Sequence, residues 1–358
     1  MIKVAFVMPN RGFSGAEKVV IQMINGLKDE FDCYYISQSG SIDKYTNENG
    51  SINTYLNENN IKHVPTRNRL NRQELKKILR QLNPDIVIAT DYTASVIIST
   101  IKGKYKVISH LHNNPLWIKK INLNSIAFLL ASFRLDKIFI VSDSIKNEYV
   151  FKKFLEKKYC LVSNPLSRKD VLNMSTNNCE KQYDISFIGR LCEQKDPEKF
   201  IRIVKKLKDK GFNVRALIMG DGSLKTKVIN WIELYNVNDC IELRDFEKNP
   251  FPYFSKSKII VMPSKFEGFG LVAFESLCLG VPVVASPVGG LVNVIDNKCG
   301  YFCQEEDEYV EIISKMLLDD NFYNEKVKYA IEKSIELDNY NEYINMIKKI
   351  IKTVVKGE

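Results

Sequence analysis

Short apolar runs alternate with helix-period segments along this chain, and the alternation occurs twice, once on each side of a polar stretch at residues 163–182. In the first half the runs lie at 3–8, 33–37, 61–64, 86–89, 106–110 and 137–141, with amphipathic segments such as 16–27 and 72–82 between them. In the second half they lie at 184–188, 213–219, 240–243, 259–262 and 283–285. Strands separated by helices cannot pair as hairpins; they close parallel ladders through crossover helices. The expected fold class is therefore α/β, with two doubly wound parallel sheets. Residues 163–182 sustain no apolar period and read as the linker, and 38–60 as a loop holding a short amphipathic piece. Residues 339–355 read as a terminal amphipathic helix.

The stretch 263–280, PSKFEGFGLVAFESLCLG, reads as strand, turn and helix: the apolar run 259–262 stops at Pro263 and a helix begins near Gly270. Glu267 lies in the turn and Glu275 eight residues on, so both can border the cleft at the carboxyl end of a strand, where open α/β sheets bind ligands. Carboxylates accept hydrogen bonds from vicinal sugar hydroxyls. Amides at a helix start (Gly268, Phe269, Gly270, Leu271) attract phosphate, and the glycines permit close approach. Read alone, the pair admits a second account: Glu267 favours a helix start electrostatically and Glu275 sits on a solvated face.

Upstream, GRLCEQK follows the run ISFI and places Arg190 and Lys195 at a strand's carboxyl end, where two fixed cations can neutralise a diphosphate leaving group. The alternative is ordinary surface charge. The loop PNRGFSGAEK carries Gly12 and Gly15 at the start of the first helix but lacks the GxGxxG spacing, although Asp32 lies at a distance that a dinucleotide site would use. In ISHLHNNP, His112 follows the strand-like run 106–110 and points to the cleft, with His110 competing for that role. Asp91, after the run 86–89, is an acceptor-contact candidate.

These motifs, taken in order, resemble the family 4 glycosyltransferases, retaining nucleotide-sugar enzymes of the GT-B architecture. The resemblance is carried by EGFGLVAFES, ISFIGRLCEQKDPEKFI, ALIMGDGSLKTKV and GVPVVASPVGGLVNVI, covering residues 183–303, with weaker agreement before them. It implies an acceptor-binding domain at 1–166, onto which 339–358 packs back, and a nucleotide-sugar-binding domain at 167–338. It also implies roles: Glu275 on the ribose, Glu267 on the donor hexose, Arg190 and Lys195 on the diphosphate, His112 near the donor sugar and Gly15 at the donor phosphates or the acceptor. Gly220, in a turn with Asp221 and Gly222, lies near the nucleotide in the family, though glycine and aspartate account for such a turn by themselves. Arg244 is expected to flank the base, and Ser264, Gly289 and Gly290 belong to turns at the cleft.

Composition narrows the classes. No Asp-x-Asp follows an apolar strand, so no metal or other cofactor is expected, and neither a P-loop nor a Gly-x-Ser-x-Gly elbow is present. Eight cysteines without paired spacing argue against a zinc ribbon or disulfide framework. The formal charge of +9 is concentrated at Arg67, Arg69, Arg72, Lys76, Lys77 and Arg80, at Lys102, Lys104 and Lys106, and at Lys119 and Lys120. With no nucleic-acid motif beside it, that charge suits an anionic membrane or a polyphosphate carrier. The segment LWIKKINLNSIAFLLASF, with Trp117, Ile118, Ile121, Phe128 and Leu129, suits an interfacial helix; a core helix with a basic end is the other account. No run reaches the roughly 18–20 apolar residues of a membrane span, and the first residues read as a strand and not an export signal.

The expectation is a metal-independent retaining hexosyltransferase, cytoplasmic and peripheral on the membrane's inner face. It would move a hexose or N-acetylhexosamine from a nucleotide-sugar, UDP-linked by expectation, to a glycan or polyprenyl-diphosphate-linked acceptor in polysaccharide, O-antigen or capsule assembly. A nucleotide-sugar epimerase of the same fold and a non-catalytic glycan- or membrane-binding scaffold are the alternatives.

Overall fold

The computed structural model describes residues 1–9, 15–38, 52–67, 70–113, 115–175 and 180–357. The chain divides into two compact units, Met1–Pro165 with Asn339–Glu358, and Leu166–Asp338.

The first unit holds a seven-stranded sheet of β1 (Lys3–Val7), β2 (Asp32–Gln38), β3 (Lys62–Thr66), β4 (Ile86–Thr90), β5 (Lys106–Leu111), β6 (Lys137–Ile140) and β7 (Tyr159–Leu161). Its order is β3-β2-β1-β4-β5-β6-β7 and every pair is parallel. The central strands bury both faces: all five residues of β4, IVIAT, are inaccessible, as expected of a parallel sheet covered on each side by helices. The helix Arg72–Leu82 shows how local chemistry sets an element. Asn71 caps it by accepting from Gln73 N–H and Glu74 N–H at 2.8 and 3.0 Å, Leu75 and Leu79 enter the core, and Asn83 ends it in a left-handed conformation.

The terminal helix Tyr340–Lys356 belongs to this first unit. Tyr343, Ile344, Ile347, Ile351 and Val354 enter the same core as β1 and the helix Gly15–Leu27, and Tyr340 Oη donates to the Gln22 carbonyl at 3.0 Å.

The second unit holds six strands, β8 (Tyr183–Ile188), β9 (Ala216–Met219), β10 (Ile241–Arg244), β11 (Ser257–Met262), β12 (Val283–Ala285) and β13 (Gly300–Phe302), ordered β10-β9-β8-β11-β12-β13 and again all parallel. In both sheets the order reverses direction beside the first strand of the unit, between β1 and β4 and between β8 and β11. Such switch points open a crevice at the strands' carboxyl ends.

Three readings of the sequence change. The stretch 163–182 is not all linker: Arg168–Met174 is a helix capped by Ser167, and Leu166 and Val171 are buried with Phe251, Phe254 and Phe274 of the second unit. The segment around Trp117 is not one helix. A 3-10 turn, Leu116–Lys119, is followed by the helix Leu123–Ser132, with Asn122 and Ser125 closing a capping box between them. Ile118 and Phe128, expected among interfacial anchors, are core residues, packed with Tyr92, Tyr149 and Leu155.

Candidate active site

The second unit's switch point is flanked by the loop after β8, residues 189–196, and the loop after β11, residues 263–270. Contacts between these loops build the site. Lys195 Nζ donates to Glu267 Oε2 in a close ion pair whose side chains are only 13% and 11% exposed. Ser264 Oγ donates to the same oxygen at 3.5 Å. Gln194 joins the loops: its Nε2 donates to the Phe266 carbonyl at 3.1 Å, its own carbonyl accepts from Lys265 N–H at 2.9 Å, and its Oε1 accepts from Arg190 Nη2 at 3.4 Å. Arg190 thus stands beside the pair with no carboxylate partner among the described residues.

Two further loops hold this arrangement. The turn 220–224 frames Arg190 from one side: Leu191 N–H donates to the Asp221 carbonyl and Leu224 N–H to the Leu191 carbonyl, both at 2.9 Å. Gly220 has φ 153°, and a Cβ there would lie 1.9 Å from the Gly189 carbonyl oxygen, so close backbone approach alone explains this glycine. From the other side, the loop after β12 lies on the backbone of Glu267. Gly290 N–H donates to the Glu267 carbonyl at 3.3 Å, and Gly289, at φ 54°, would place a Cβ 1.7 Å from that oxygen.

The helix Leu271–Cys278 begins at Gly270, a left-handed residue at φ 92° with no side-chain cap. Among the described residues the backbone N–H groups of Gly268, Phe269, Gly270 and Leu271 donate no hydrogen bond. Unsatisfied amides at a helix start form an anion site, and they lie in the segment that carries Glu267. Glu275, in the second turn of the helix, is 7% exposed, so it is not on a solvated face. Arg244 has partners of its own, and its carbonyl accepts from Gly220 N–H at 3.1 Å. It ends the edge strand β10, ion-pairs with Glu242, and stacks 5.1 Å above the Tyr253 ring, whose hydroxyl accepts from its Nη1 at 3.1 Å.

In the first unit, the carboxyl ends of β4 and β5 gather Asp91, His110 and His112. His110 is fully buried, and neither of its ring nitrogens nor His112 Nε2 has a partner among the described residues. The two rings lie 4.0 Å apart at 44°. Burial pushes the His112 imidazole down to about 4, and burial together with His112 holds His110 well below its usual range, so both are neutral near pH 7. A neutral imidazole presents one donor and one acceptor, a set suited to a hydroxyl group. Asp91 has a left-handed backbone, φ 64°, and burial pushes its carboxyl up to about 6; His112 N–H reaches its Oδ1 at a long 3.5 Å and Glu17, buried on the first helix, raises it further. Gly15 opens the helix Gly15–Leu27, and Gly12 lies outside the described residues.

Gln194 was not singled out in the sequence. Its signal was its place between Arg190 and Lys195 within GRLCEQK. Among the described residues no three His, Cys, Asp or Glu side chains gather as a metal-sized group.

Two family models match the chain in succession: Glycosyltransferase Family 4 over residues 13–168 and Glycosyl transferases group 1 over residues 170–333. An uncharacterized glycosyltransferase of Methanocaldococcus jannaschii is 31% identical over 235 residues, 60% of this chain and 58% of that protein; the chain thus matches less than two thirds of its length. The GalNAc-alpha-(1->4)-GalNAc-alpha-(1->3)-diNAcBac-PP-undecaprenol alpha-1,4-N-acetyl-D-galactosaminyltransferase of Campylobacter jejuni is 24% identical over 355 residues, 96% of this chain and 97% of that one. Among solved structures, HepE of Anabaena in complex with UDP-glucose superposes with a TM-score of 0.81 at 16% identity, covering 99% of this chain and all of that one. This likeness shows the GT-B fold.

Proposed function

Because the chain belongs to the family 4 glycosyltransferases, we propose that it transfers a hexose or N-acetylhexosamine, with retention of configuration, from a UDP-sugar to a glycan carried on a polyprenyl diphosphate, in surface polysaccharide assembly. The observation that carries this reading is the Lys195–Glu267 pair set at an uncapped helix start, with Arg190 beside it.

The donor diphosphate is assigned to Arg190, Lys195 and the amides of Gly268 to Leu271. Charge grows on the diphosphate as the glycosidic bond breaks. A guanidinium without a carboxylate partner among the described residues and preorganised N–H groups stabilise it there with no reorganisation at the moment of reaction. Lys195 shares its charge with Glu267, so the lysine orients that carboxylate to accept from donor hexose hydroxyls. Glu275 takes the ribose hydroxyls. A leaving phosphate oxygen accepts the proton of the attacking hydroxyl, which requires neither an enzyme nucleophile nor a divalent cation. In the first unit, His112 and Asp91 are assigned to sugar hydroxyls and Gly15 to the start of its helix. Arg244, committed to Glu242 and Tyr253, and Gly220, explained by packing, are left out of the donor set.

UDP-glucose in HepE supports the choice of nucleotide, and the undecaprenol-linked acceptor of the Campylobacter relative supports the carrier. A cytoplasmic enzyme at the inner membrane face follows from such an acceptor. Calorimetric titration with UDP, GDP and ADP tests the reading. UDP is expected to bind saturably, and Arg190→Ala and Glu275→Ala each to weaken it at least tenfold. Binding of none of the three by folded protein would overturn it.

A further inference from the structure

One face of the first unit's sheet is apolar along β4 and β5 until its last layer. Ile86, Ile88 and Ile108 enter the core there beside Phe139 of β6. Side chains alternate between faces along a strand, so the next positions on this face are Thr90 and His110, register partners across the two strands. His112, just past the end of β5, returns to the same side: its ring packs 4.0 Å from that of His110, tilted by 44°. Phe139 backs His110 edge-on at 5.8 Å and 82°.

Thr90 and His110 are completely buried. Four polar atoms of this layer have no partner among the described residues: Thr90 Oγ1, both ring nitrogens of His110, and His112 Nε2. Buried polar atoms are unfavourable unless hydrogen-bonded, and native proteins keep few of them unpaired. Packing does not account for the cluster, since apolar side chains would fill the same face without that penalty. Helix capping does not account for it either. Thr90 is the N-cap of the helix Asp91–Ser99, yet its hydroxyl makes no capping bond.

Each neutral imidazole offers one donor and one acceptor. A hydroxyl group has the complementary set, donating one bond and accepting another. Rings 4.0 Å apart and tilted open can both reach a single oxygen at ordinary hydrogen-bond length. A metal ion would need further ligands, and among the described residues no three His, Cys, Asp or Glu side chains gather as a metal-sized group. The way in is past His112, which is part-exposed and lies beyond the ladder that fixes His110 between β4 and β6.

We propose that Thr90, His110 and His112 form a pocket for one sugar hydroxyl, which donates to a nitrogen of one imidazole and accepts from the other, with Thr90 Oγ1 beside them. Thr90 and His110 thereby select the sugar: a site built to hydrogen-bond a hydroxyl rejects a sugar lacking it, because its own polar atoms are then left unpaired. This inference deepens the reading that His112 meets sugar hydroxyls, and rests on it. The hydroxyl belongs either to the donor hexose or to the acceptor sugar.

The chain has three histidines, so imidazole nitrogen-15 spectra of the full chain can be assigned from His110→Phe and His112→Gln. The probes are UDP alone, then UDP-glucose, UDP-galactose and their N-acetylhexosamine counterparts, then free glucose or N-acetylglucosamine added to UDP-bound protein. One UDP-hexose is expected to move the nitrogens of both His110 and His112, where UDP moves neither. Movement of both only on adding free sugar assigns the hydroxyl to the acceptor. His110→Phe keeps a flat ring and removes the nitrogens. It is expected to weaken binding of the sugar that moved them at least tenfold, with UDP affinity and thermal midpoint not lowered, and His110→Asn is expected to lose less. Movement of His112 alone, or of neither ring, in every arm while UDP binds would overturn the proposal. So would a His110→Phe variant that loses UDP and UDP-hexose in equal measure, or one that binds the sugar as the wild type does. Failure of folded wild-type protein to bind UDP at all would overturn the transferase reading, and this proposal with it.

Discussion

Lys195 and Glu267, 72 residues apart in sequence, meet as a nearly buried ion pair across two loops of one sheet. Burying two charges is unfavourable unless geometry and further hydrogen bonds offset the loss of water, and an apolar pair of similar volume would stabilise the fold at least as well. Its place at a strand-end crevice accords with the role in donor binding proposed above. Lys195→Ala is expected to reduce kcat by about 10²–10³-fold and to destabilise the protein by about 3–5 kcal/mol, because Glu267 is left without its counter-charge. Adding Glu267→Gln should restore the thermal midpoint and leave activity lost. A double variant as unstable as Lys195→Ala would refute this account.

Gly289 offers a test of the geometry rather than the charge. A Cβ there meets the Glu267 carbonyl oxygen at 1.7 Å, on a backbone already at φ 54°. Gly289→Ala must therefore push the Glu267 segment aside, and a misplacement of about 1 Å costs on the order of 10²-fold in rate. The expected result is a loss of that size in kcat with a cooperative thermal transition retained. Unchanged kcat would remove Glu267 from the reaction.

The buried histidines and Asp91 predict opposing pH effects. An imidazole lowered from 6.5 to about 4 contributes stability that is present above pH 6.5 and lost as pH falls through 4. A carboxyl raised from 3.8 to about 6 contributes stability that is present below pH 3.8 and lost as pH rises through 6. His112→Gln should flatten the acid-side fall in thermal midpoint. Asp91→Asn, which tolerates the left-handed backbone, should raise the midpoint at neutral pH and leave the acid-side fall steeper. Midpoint curves with the wild-type slope in both variants would show that neither group is held as described.

Transfer carried by Arg190, Lys195 and helix amides is expected to continue at the same rate after exhaustive chelation. A loss of turnover restored by added Mg²⁺ or Mn²⁺ would reassign the leaving-group charge to a cation.

What the sequence disclosed follows from how each feature is encoded. Strands such as β4, buried on both faces, read as apolar runs, and the helix start at Gly270 is marked by glycine and the break at Pro263. The edge strands β7 and β13 are three residues long and only part-buried, so unlike the equally short but fully buried β12 they leave no apolar run, and the helix Arg168–Met174 turns chiefly Val171 inward, so its pattern is polar. Glu267 and Lys195 could each be placed at a strand end, but the bond between them, and the role of Gln194, depend on how two loops meet in space. The same holds for Arg244: its strand position was legible and the Tyr253 ring beside it was not. Ile118 and Phe128 have the composition of a membrane anchor. Only the helix phase, reset at Asn122, turns them inward and turns Leu123 and Leu130 out.

The first unit takes one of its core helices, Tyr340–Lys356, from beyond the second. During synthesis on the ribosome, therefore, the strands of the earlier unit emerge long before the side chains that seal them, with Val20, Ile24 and Tyr35 waiting for Tyr343, Ile347 and Ile351. The later unit is complete at Asp338 and can close first. A nascent chain stalled there would carry one finished unit and one with an open core, the kind of exposed apolar surface that chaperones bind and proteases cut.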